Sequence, residues 1–168
     1  MMEKPLATTE EECRRLIDAA RKNNVTLLVG HIERFNPAVE QMGKILSDTS
    51  KIRSLTAQRM SAASGRITDV DVAMDLMIHD VEVIQSLVKS PVVNVQAAAV
   101  KTPGNESGKD YITALLEFAS GATANITASR ITQARVRTLT VTTDTNYIDM
   151  DFINQSPYGN KTADQIFE

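Results

Sequence analysis

The stretch 69–88, DVDVAMDLMIHDVEVIQSLV, determines the fold expected from this sequence because it separates a helical first half from a strand-rich second half. Its apolar residues recur at three- and four-residue spacing, which predicts one amphipathic helix over the stretch. The predicted core-facing stripe of this helix consists of Met74, Met77, Val81, Ile84 and Val88.

The segment after Pro91 predicts β-structure, since it contains five runs that are rich in β-branched and apolar residues. These runs are PVVNVQAAAV (91–100), DYITALLEFAS (110–120), ATANITASRI (122–131), RVRTLTVTT (135–143) and NYIDMDFI (146–153). Turn sequences separate them: TPGNESG (102–108), SG (120–121) and DTN (144–146). Short connections predict an antiparallel meander. We therefore predict the α+β class, with helices on one face of an open, mainly antiparallel sheet.

The second face of such a sheet must be solvated or covered by a partner. The apolar residues that make a partner credible are Ile126, Ile131, Val136, Leu139 and Val141. The sequence contains neither an internal repeat nor a low-complexity segment.

The first thirty residues predict a helix followed by a strand. Thr8 and Glu11 match a capping box, and the residues that follow place Cys13 on an apolar helical stripe. The run VTLLVG (25–30) is uniformly apolar, which is typical of a buried parallel strand covered on both faces.

Two further elements are predicted before the long helix. NPAVEQMGKILSD (36–48) predicts a short helix, with Asn36 as the N-cap and Pro37 at the first helical position. KIRSLTAQRMS (51–61) predicts a strand.

The composition limits the classes of function and partner that can be expected for this protein. The 168 residues are 42% hydrophobic and 23% charged, which is typical of a globular protein with a proper core. The formal net charge of −3, without a basic stripe, argues against a nucleic acid partner. The sequence has no apolar run long enough to predict a membrane-spanning helix, so no membrane partner is expected. One cysteine and the lack of a signal-peptide core predict a cytoplasmic location.

The strongest candidate site lies on the predicted long helix. Asp71, Asp75, His79 and Glu82 follow one another at spacings of four, four and three, so they share one polar stripe. A carboxylate one turn before an imidazole can fix the ring tautomer and raise the basicity of the other nitrogen, as a general base requires. The alternative is a solvated pair without function. A metal site is a third option, but zinc prefers more nitrogen or sulfur ligands, so we predict no metal ligands.

Three other residues are candidates with ordinary alternatives. Lys4 precedes Pro5, which favours an extended backbone, and is either a surface lysine or a tethered amine. His31 follows the predicted buried strand, at the edge where open α/β sheets place ligands, or simply faces solvent. Arg34 is either a ligand-binding residue or the partner of a local carboxylate. The phosphate-binding pattern G-x-G-x-x-G is absent from the 168 residues.

Several motifs in this order resemble the Gfo/Idh/MocA family of NAD(P)-dependent oxidoreductases. They are EKPLA (3–7), VTLLVGHIERFNPAV (25–39) and DVAMDLMIHDVEVI (71–84), followed by the predicted sheet. GHIERFNPAV (30–39) looks most like the sugar-nucleotide branch of that family, such as UDP-N-acetylglucosamine 3-dehydrogenases.

The resemblance implies roles for individual residues. Lys4 would lie beside the nicotinamide and the substrate hydroxyl, His79 would accept the hydroxyl proton, and Asp75 would orient His79. These three residues are the implied catalytic group. The residues implied in cofactor binding are Glu3, Lys4, Pro5 and Arg34. Those implied in substrate binding are Lys4, His31 and His79.

The resemblance also implies a domain organisation. Residues 1–33 would be a remnant of a dinucleotide-binding Rossmann domain, and residues 34–168 the substrate-binding, catalytic and oligomerisation domain. The chain is then expected to be a fragment of a sugar or sugar-nucleotide dehydrogenase that uses NAD or NADP. Such a fragment would bind no cofactor and be inactive by itself.

The family resemblance further implies a homo-oligomer formed through the open sheet face. The alternative function is a non-catalytic ligand-binding or oligomerisation module, or a regulator, that uses the same fold.

Overall fold

The computed structural model describes residues 1–46, 51–62, 70–102 and 109–154, and the backbone of residues 156–161. It divides into two compact units, Met1–Ile32 and Glu33–Glu168. Most of the predicted turn at 102–108, the end of the predicted helix at 36–48 and the first residue of the predicted helix at 69–88 lie outside the described residues.

The elements, in chain order, are α1 (Glu10–Lys22), a 3₁₀ turn (Ile32–Phe35), α2 (Pro37–Ile45), β1 (Ile52–Met60), a π-helix (Ala73–Met77), α3 (Ile78–Val88), β2 (Val92–Val100), β3 (Tyr111–Phe118), β4 (Thr123–Ser129), β5 (Val136–Thr143), β6 (Tyr147–Asp151) and β7 (Ser156–Lys161). The α+β prediction is confirmed. The predicted cap of α2 is also observed, because the Asn36 side chain accepts a hydrogen bond from the backbone N–H of Ala38.

A capping box starts α1, but one residue later than the sequence predicts. The Thr9 hydroxyl accepts a hydrogen bond from the Glu12 N–H at 3.2 Å, and the Glu12 carboxylate accepts one from the Thr9 N–H at 3.2 Å. Thr8 and Glu11 satisfy the same spacing. The prediction chose the wrong pair because Thr9, not Thr8, has the extended backbone of an N-cap.

The prediction of a buried strand at 25–30 is wrong. Within the first unit, Val29 makes one isolated parallel bridge to Met2, while Val25 is 60% exposed and Leu28 is 58% exposed. A uniformly apolar strand becomes buried only when a sheet supplies neighbours on both sides and layers on both faces. Met2 alone cannot provide that cover.

The sheet of the second unit has seven strands in the order β2-β3-β4-β1-β5-β6-β7. β2, β3 and β4 form one antiparallel meander, and β5, β6 and β7 form another. β1 lies between them, parallel to β4 and antiparallel to β5, so Ala57 pairs with Ile126 on one side and with Leu139 on the other. A single meander was therefore the wrong topology.

One face of this sheet forms the core. Ile126 and Val141 are 0% exposed and Leu139 is 1% exposed, and they cluster with residues of α2 and α3. Using these three side chains as evidence for a partner-covered face was wrong, because the pleat of the strands turns them toward the helices. Ile131 and Val136 are half-buried.

The predicted long helix has two parts. The Asp71 carboxylate accepts hydrogen bonds from the N–H groups of Ala73 and Met74, and a π-helical turn precedes α3. Met77, Ile84 and Val88 are buried as predicted, but Met74 and Val81 are only half-buried. The wider π-turn shifts the register of the apolar stripe, and such turns occur frequently at functional sites.

Acid should weaken α1 through Glu12. Hydrogen bonds from Thr8 and Thr9 lower the pKa of the Glu12 carboxyl below its ordinary value of 4.5. The folded state therefore holds the charged form more tightly than the unfolded state does. The resulting stabilisation is complete above pH 4.5 and disappears as the pH falls through the lowered value.

Glu12→Gln removes this titration but keeps a capping side chain, so the thermal midpoint of the helical circular dichroism should depend less on pH across the acid range. Glu11→Gln is the matched control, since Glu11 lies outside the observed box. Equal pH dependence in the two variants would contradict the assignment.

Candidate active site

A buried ion pair joins the start of α3 to the centre of the sheet. The Arg59 guanidinium on β1 donates from Nε and from one terminal nitrogen to the two carboxylate oxygens of Asp80, each at 2.9 Å. Both side chains are only 3% exposed. Two parallel charge-assisted hydrogen bonds fix both the distance and the orientation of the partners.

The remaining side of Arg59 is also occupied. Its other terminal nitrogen donates to Glu33 Oε1 at 3.1 Å, and its guanidinium carbon lies 5.7 Å from the centroid of the Phe152 ring. Arg59 therefore holds the 3₁₀ turn that contains Glu33, the first turn of α3 and the end of β6 around one cation.

A second ion pair links the 3₁₀ turn to α3. The Nε atom of Arg34, the neighbour of Glu33, lies 3.0 Å from Glu82 Oε1. The Glu82 side chain is 16% exposed and that of Arg34 is 54% exposed. We call Glu33, Arg34, Arg59, Asp80 and Glu82 together the charge clamp.

Burial and ion pairing act in opposite directions on the charged groups of the clamp. Burial raises the pKa of the Asp80 carboxyl, and the hydrogen bonds and charge of Arg59 act in the opposite direction. The pKa of Arg59 is raised, because burial, which favours its neutral form, is outweighed by Asp80 and Glu33. Arg137, opposite Arg59 on β5, has its pKa lowered by burial and by the charges of Arg59 and Arg135.

The predicted catalytic pair lies on the helix that the clamp holds. Asp75 is in the π-helix and His79 is the second residue of α3, and both side chains are half-buried. The predicted polar stripe is only partly correct. Asp71 caps the π-helix and Glu82 belongs to the charge clamp, which leaves Asp75 and His79 as its chemical members.

The other predicted residues lie in the first unit, apart from Arg34. The backbone of Met2 donates to Leu28 O and accepts from the N–H of Gly30, each at 2.8 Å, and this pairing precedes Glu3, Lys4 and Pro5. Lys4 and Pro5 are half-buried and joined by a cis peptide bond, and Glu3 is exposed. His31 is half-buried, and its Nδ1 makes no hydrogen bond to any residue that the structure describes.

Arg34 pairs with Glu82, a carboxylate distant in sequence, and not with a local one. The sequence analysis missed Arg59 and Asp80. Asp80 adjoins the polar stripe, and a charged residue at a position that periodicity assigns to the core could have signalled a buried partner. Arg59 likewise has the core-facing parity of Leu55 and Ala57 on β1.

An apolar groove of about 470 Å³ runs beside the helix and is a poor fit for a sugar. Met77 and Val81 line one side, Val95 and Ala97 of β2 line the other, and Ile112 lies among the remaining lining residues. Asp71 and Lys109 are the charged residues of the lining, and a hydroxyl-rich ligand needs more hydrogen-bonding side chains than the remaining apolar residues supply. We therefore do not place the substrate there.

Within ranges 1–46, 51–62, 70–102 and 109–154, no three His, Cys, Asp or Glu side chains converge in a way that could hold a metal ion. In the same ranges, no helix has the length and apolar character that crossing a bilayer requires. The cytoplasmic location stays a prediction.

Comparison with known proteins decides the family. The model of the GFO/IDH/MocA C-terminal domain matches residues 12–148. This chain belongs to the GFO/IDH/MocA family. The resemblance predicted from the EKP, HIERFNP and DxxxHD motifs is thereby confirmed.

The UDP-N-acetylglucosamine 3-dehydrogenase of Acidithiobacillus ferrooxidans is 31% identical over 156 residues, which is 93% of this chain and 49% of the relative. A solved structure of that enzyme superposes with a TM-score of 0.83 over 93% of this chain and 50% of its own. This GFO/IDH/MocA chain thus spans about half the length of that relative.

The WlbA dehydrogenase of Bordetella pertussis, solved in complex with NADH and UDP-GlcNAcA, superposes with a TM-score of 0.83 over 96% of this chain and 51% of its own. At 21% identity, this likeness shows the shared fold.

Removing Arg59 should destabilise the second unit strongly. Arg59→Met leaves the Asp80 and Glu33 carboxylates without their shared cation in a buried site, and breaking a buried pair costs about 3–5 kcal/mol. The free energy of unfolding in urea measures the loss. Arg53→Met is the matched control on the same strand, because Arg53 pairs with Asp144 in an exposed bridge. Equal losses in the two variants would contradict the role of burial.

Proposed function

We propose that this chain forms the catalytic and substrate-binding half of an NAD(P)-dependent dehydrogenase that oxidises a hydroxyl group of a sugar or sugar nucleotide. The observation that carries the proposal is the placement of Asp75 and His79 on a helical segment whose turn at Asp80 is held by a buried ion pair. The 31% identity to a UDP-N-acetylglucosamine 3-dehydrogenase supports the substrate class.

In the proposed mechanism, His79 accepts the proton of the substrate hydroxyl as hydride leaves the same carbon. Asp75, one turn earlier, orients the imidazole and stabilises its protonated form. Lys4 polarises the hydroxyl with its positive charge. NAD(P), when bound, supplies the hydride acceptor.

The residues proposed for cofactor contact are Glu3, Lys4, Pro5 and Arg34. Pairing of Met2 with residues 28–30 gives the EKP segment a fixed backbone, which fits a contact with the nicotinamide end. The 168 residues lack the glycine-rich loop that binds a dinucleotide phosphate, so we expect this segment alone to bind NAD(P) weakly and to be inactive. The choice between NAD and NADP stays open.

His31 is the further residue proposed for substrate contact, beside Lys4 and His79. Its Nδ1 has no hydrogen-bond partner among the described residues, and a buried polar atom of this kind is satisfied by a ligand hydroxyl at low cost. We propose the following domain organisation: residues 1–33 derive from a dinucleotide-binding domain, and residues 34–168 bind the substrate and carry the catalytic pair.

A chimera tests the proposal, with this segment in place of the corresponding half of the Acidithiobacillus ferrooxidans enzyme. It should reduce NAD(P) when UDP-N-acetylglucosamine or another UDP-sugar is added. His79→Ala should lower kcat by about 10²–10⁴-fold, the usual contribution of a general base. Lys4→Ala should lower kcat as well.

Lys22→Ala is the matched control, since this exposed lysine ends α1 in the same unit as Lys4. Full activity in His79→Ala would remove the catalytic assignment. A folded chimera that binds UDP-sugars without turnover would favour the ligand-binding module or regulator instead.

We also propose a homo-oligomer formed through the sheet face that points away from the helices. Leu115 of β3, 39% exposed, lies there beside Gln96 and Asn125, its partners on β2 and β4. Uncharged threonines line neighbouring strands, and the Thr113 and Thr127 hydroxyls lie 3.2 Å apart. Glu117 has the strand parity of Leu115, and Asp149 of β6 accepts a hydrogen bond from the Thr140 hydroxyl, so we expect the contact to centre on Leu115 and the threonines.

Light scattering should therefore give at least a dimer at micromolar concentration, and Leu115→Glu should shift the mass toward the monomer. Val25→Glu is the control, because Val25 is exposed in the first unit and lies outside the sheet. A monomeric mass for the unmodified chain would count against the proposal.

A further inference from the structure

We propose that the charge clamp is a positioning device for His79: ion pairs to Asp80 and Glu82, one and three residues after His79, fix the rotation of the start of α3. The inference rests on the proposed function, because it explains how the general base would be oriented. It assigns a positioning role to Arg59, Asp80 and Arg34, which do not themselves need to touch the substrate.

The ion pair at Asp80 attaches α3 to the sheet. Asp80 lies on the sheet side of α3 and is held by two hydrogen bonds from Arg59. Successive residues on a helix point in clearly different directions, so a helix that presents Asp80 to the sheet directs His79 to another side. A bidentate pair permits little rotation of the helix about its own axis.

A separate ion pair attaches α3 to the 3₁₀ turn through Glu82. Arg34 Nε lies 3.0 Å from Glu82 Oε1, one turn beyond His79. Arg34 and Glu33 are neighbours in the same 3₁₀ turn, so this segment contacts α3 directly at Glu82 and is linked to Asp80 through Arg59. The link at Glu82 therefore adds a second point of attachment to the bidentate one at Asp80.

A π-helical turn directly precedes the part of α3 that the clamp holds. Such turns are rare and occur mostly as single turns within α-helices, and the turn at Ala73–Met77 ends where the clamped turn begins. Without the clamp, the junction could relax by returning to α-helical register, which would rotate Asp75 relative to His79. The clamp thus maintains the arrangement on which the proposed chemistry depends.

Stability alone would not require these charges. A buried ion pair can often be replaced by apolar residues of similar volume without loss of stability, while a polar pair can specify one geometry. A purely structural role and a positioning role therefore predict different results for an apolar replacement.

The test uses ring-nitrogen NMR of the intact chain with isotope-labelled histidine. The sequence contains only two histidines, so His31→Ala assigns both rings. The unmodified chain should show one tautomer and one environment for His79. The variant Glu33→Gln/Arg59→Met/Asp80→Leu should remain folded by circular dichroism and show loss of that single tautomer, through averaging or a shift of the His79 signals.

The paired variant Arg53→Met/Asp144→Leu is the control, since it removes an exposed bidentate bridge from the same strand. Its His79 signals should match those of the unmodified chain. If the triple variant does not fold, Arg34→Gln/Glu82→Gln, in the more exposed half of the clamp, decides by the same readout. Unchanged His79 signals in a folded clamp variant would overturn the inference, as would an averaged ring in the unmodified chain.

The outcome separates the two proposals. Tautomer and ring order report the positioning of His79 whether or not His79 is a base. Failure of His79→Ala to affect the chimera would remove the catalytic role only. In the chimera, Glu82→Gln, which keeps the proposed cofactor contact Arg34, should lower kcat with little change in the KM for the UDP-sugar, whereas a merely structural defect would lower the amount of active enzyme and leave kcat per folded molecule unchanged.

Discussion

The Arg59–Asp80 ion pair is the constraint on which the second unit depends. It puts a guanidinium and a carboxylate, both 3% exposed, where the packing of β1 against α3 would otherwise call for apolar side chains. Removing two charges from water is costly unless each finds its full set of partners. Glu33 and Phe152 complete that set, so turn, strand, helix and hairpin must come together in one arrangement.

This arrangement explains how a GFO/IDH/MocA sheet can present chemistry from a helix. The sheet is a broad rigid support, and α3 packs on its core face through Val83, Ile84 and Leu87. Apolar packing secures the helix but tolerates sliding and rotation. The directional hydrogen bonds at its first turn remove that tolerance where the proposed base is located.

Local patterns predicted much of the fold but little of the site. Alternating apolar residues and turn sequences identified β1 to β6, and Asn36–Pro37 identified the start of α2. The placement of β1 between β4 and β5 was not predictable, because it depends on pairing between residues as distant as Ile52 and Thr143. The Arg59–Asp80 contact is long-range for the same reason. Asp75 and His79 could be proposed because helical spacing is local, but the π-turn that contains Asp75 and the cap at Asp71 were not predicted.

The central position of β1 has a consequence for synthesis on the ribosome. β1 leaves the ribosome before β4 and β5 exist, so its edges stay unpaired until both meanders have formed. A strand with unpaired edges can pair incorrectly with strands of other chains. Arg53 and Arg59 place positive charge at each end of β1. We expect the charge that Arg59 later buries against Asp80 to act first as a gatekeeper that keeps the unpaired strand in solution.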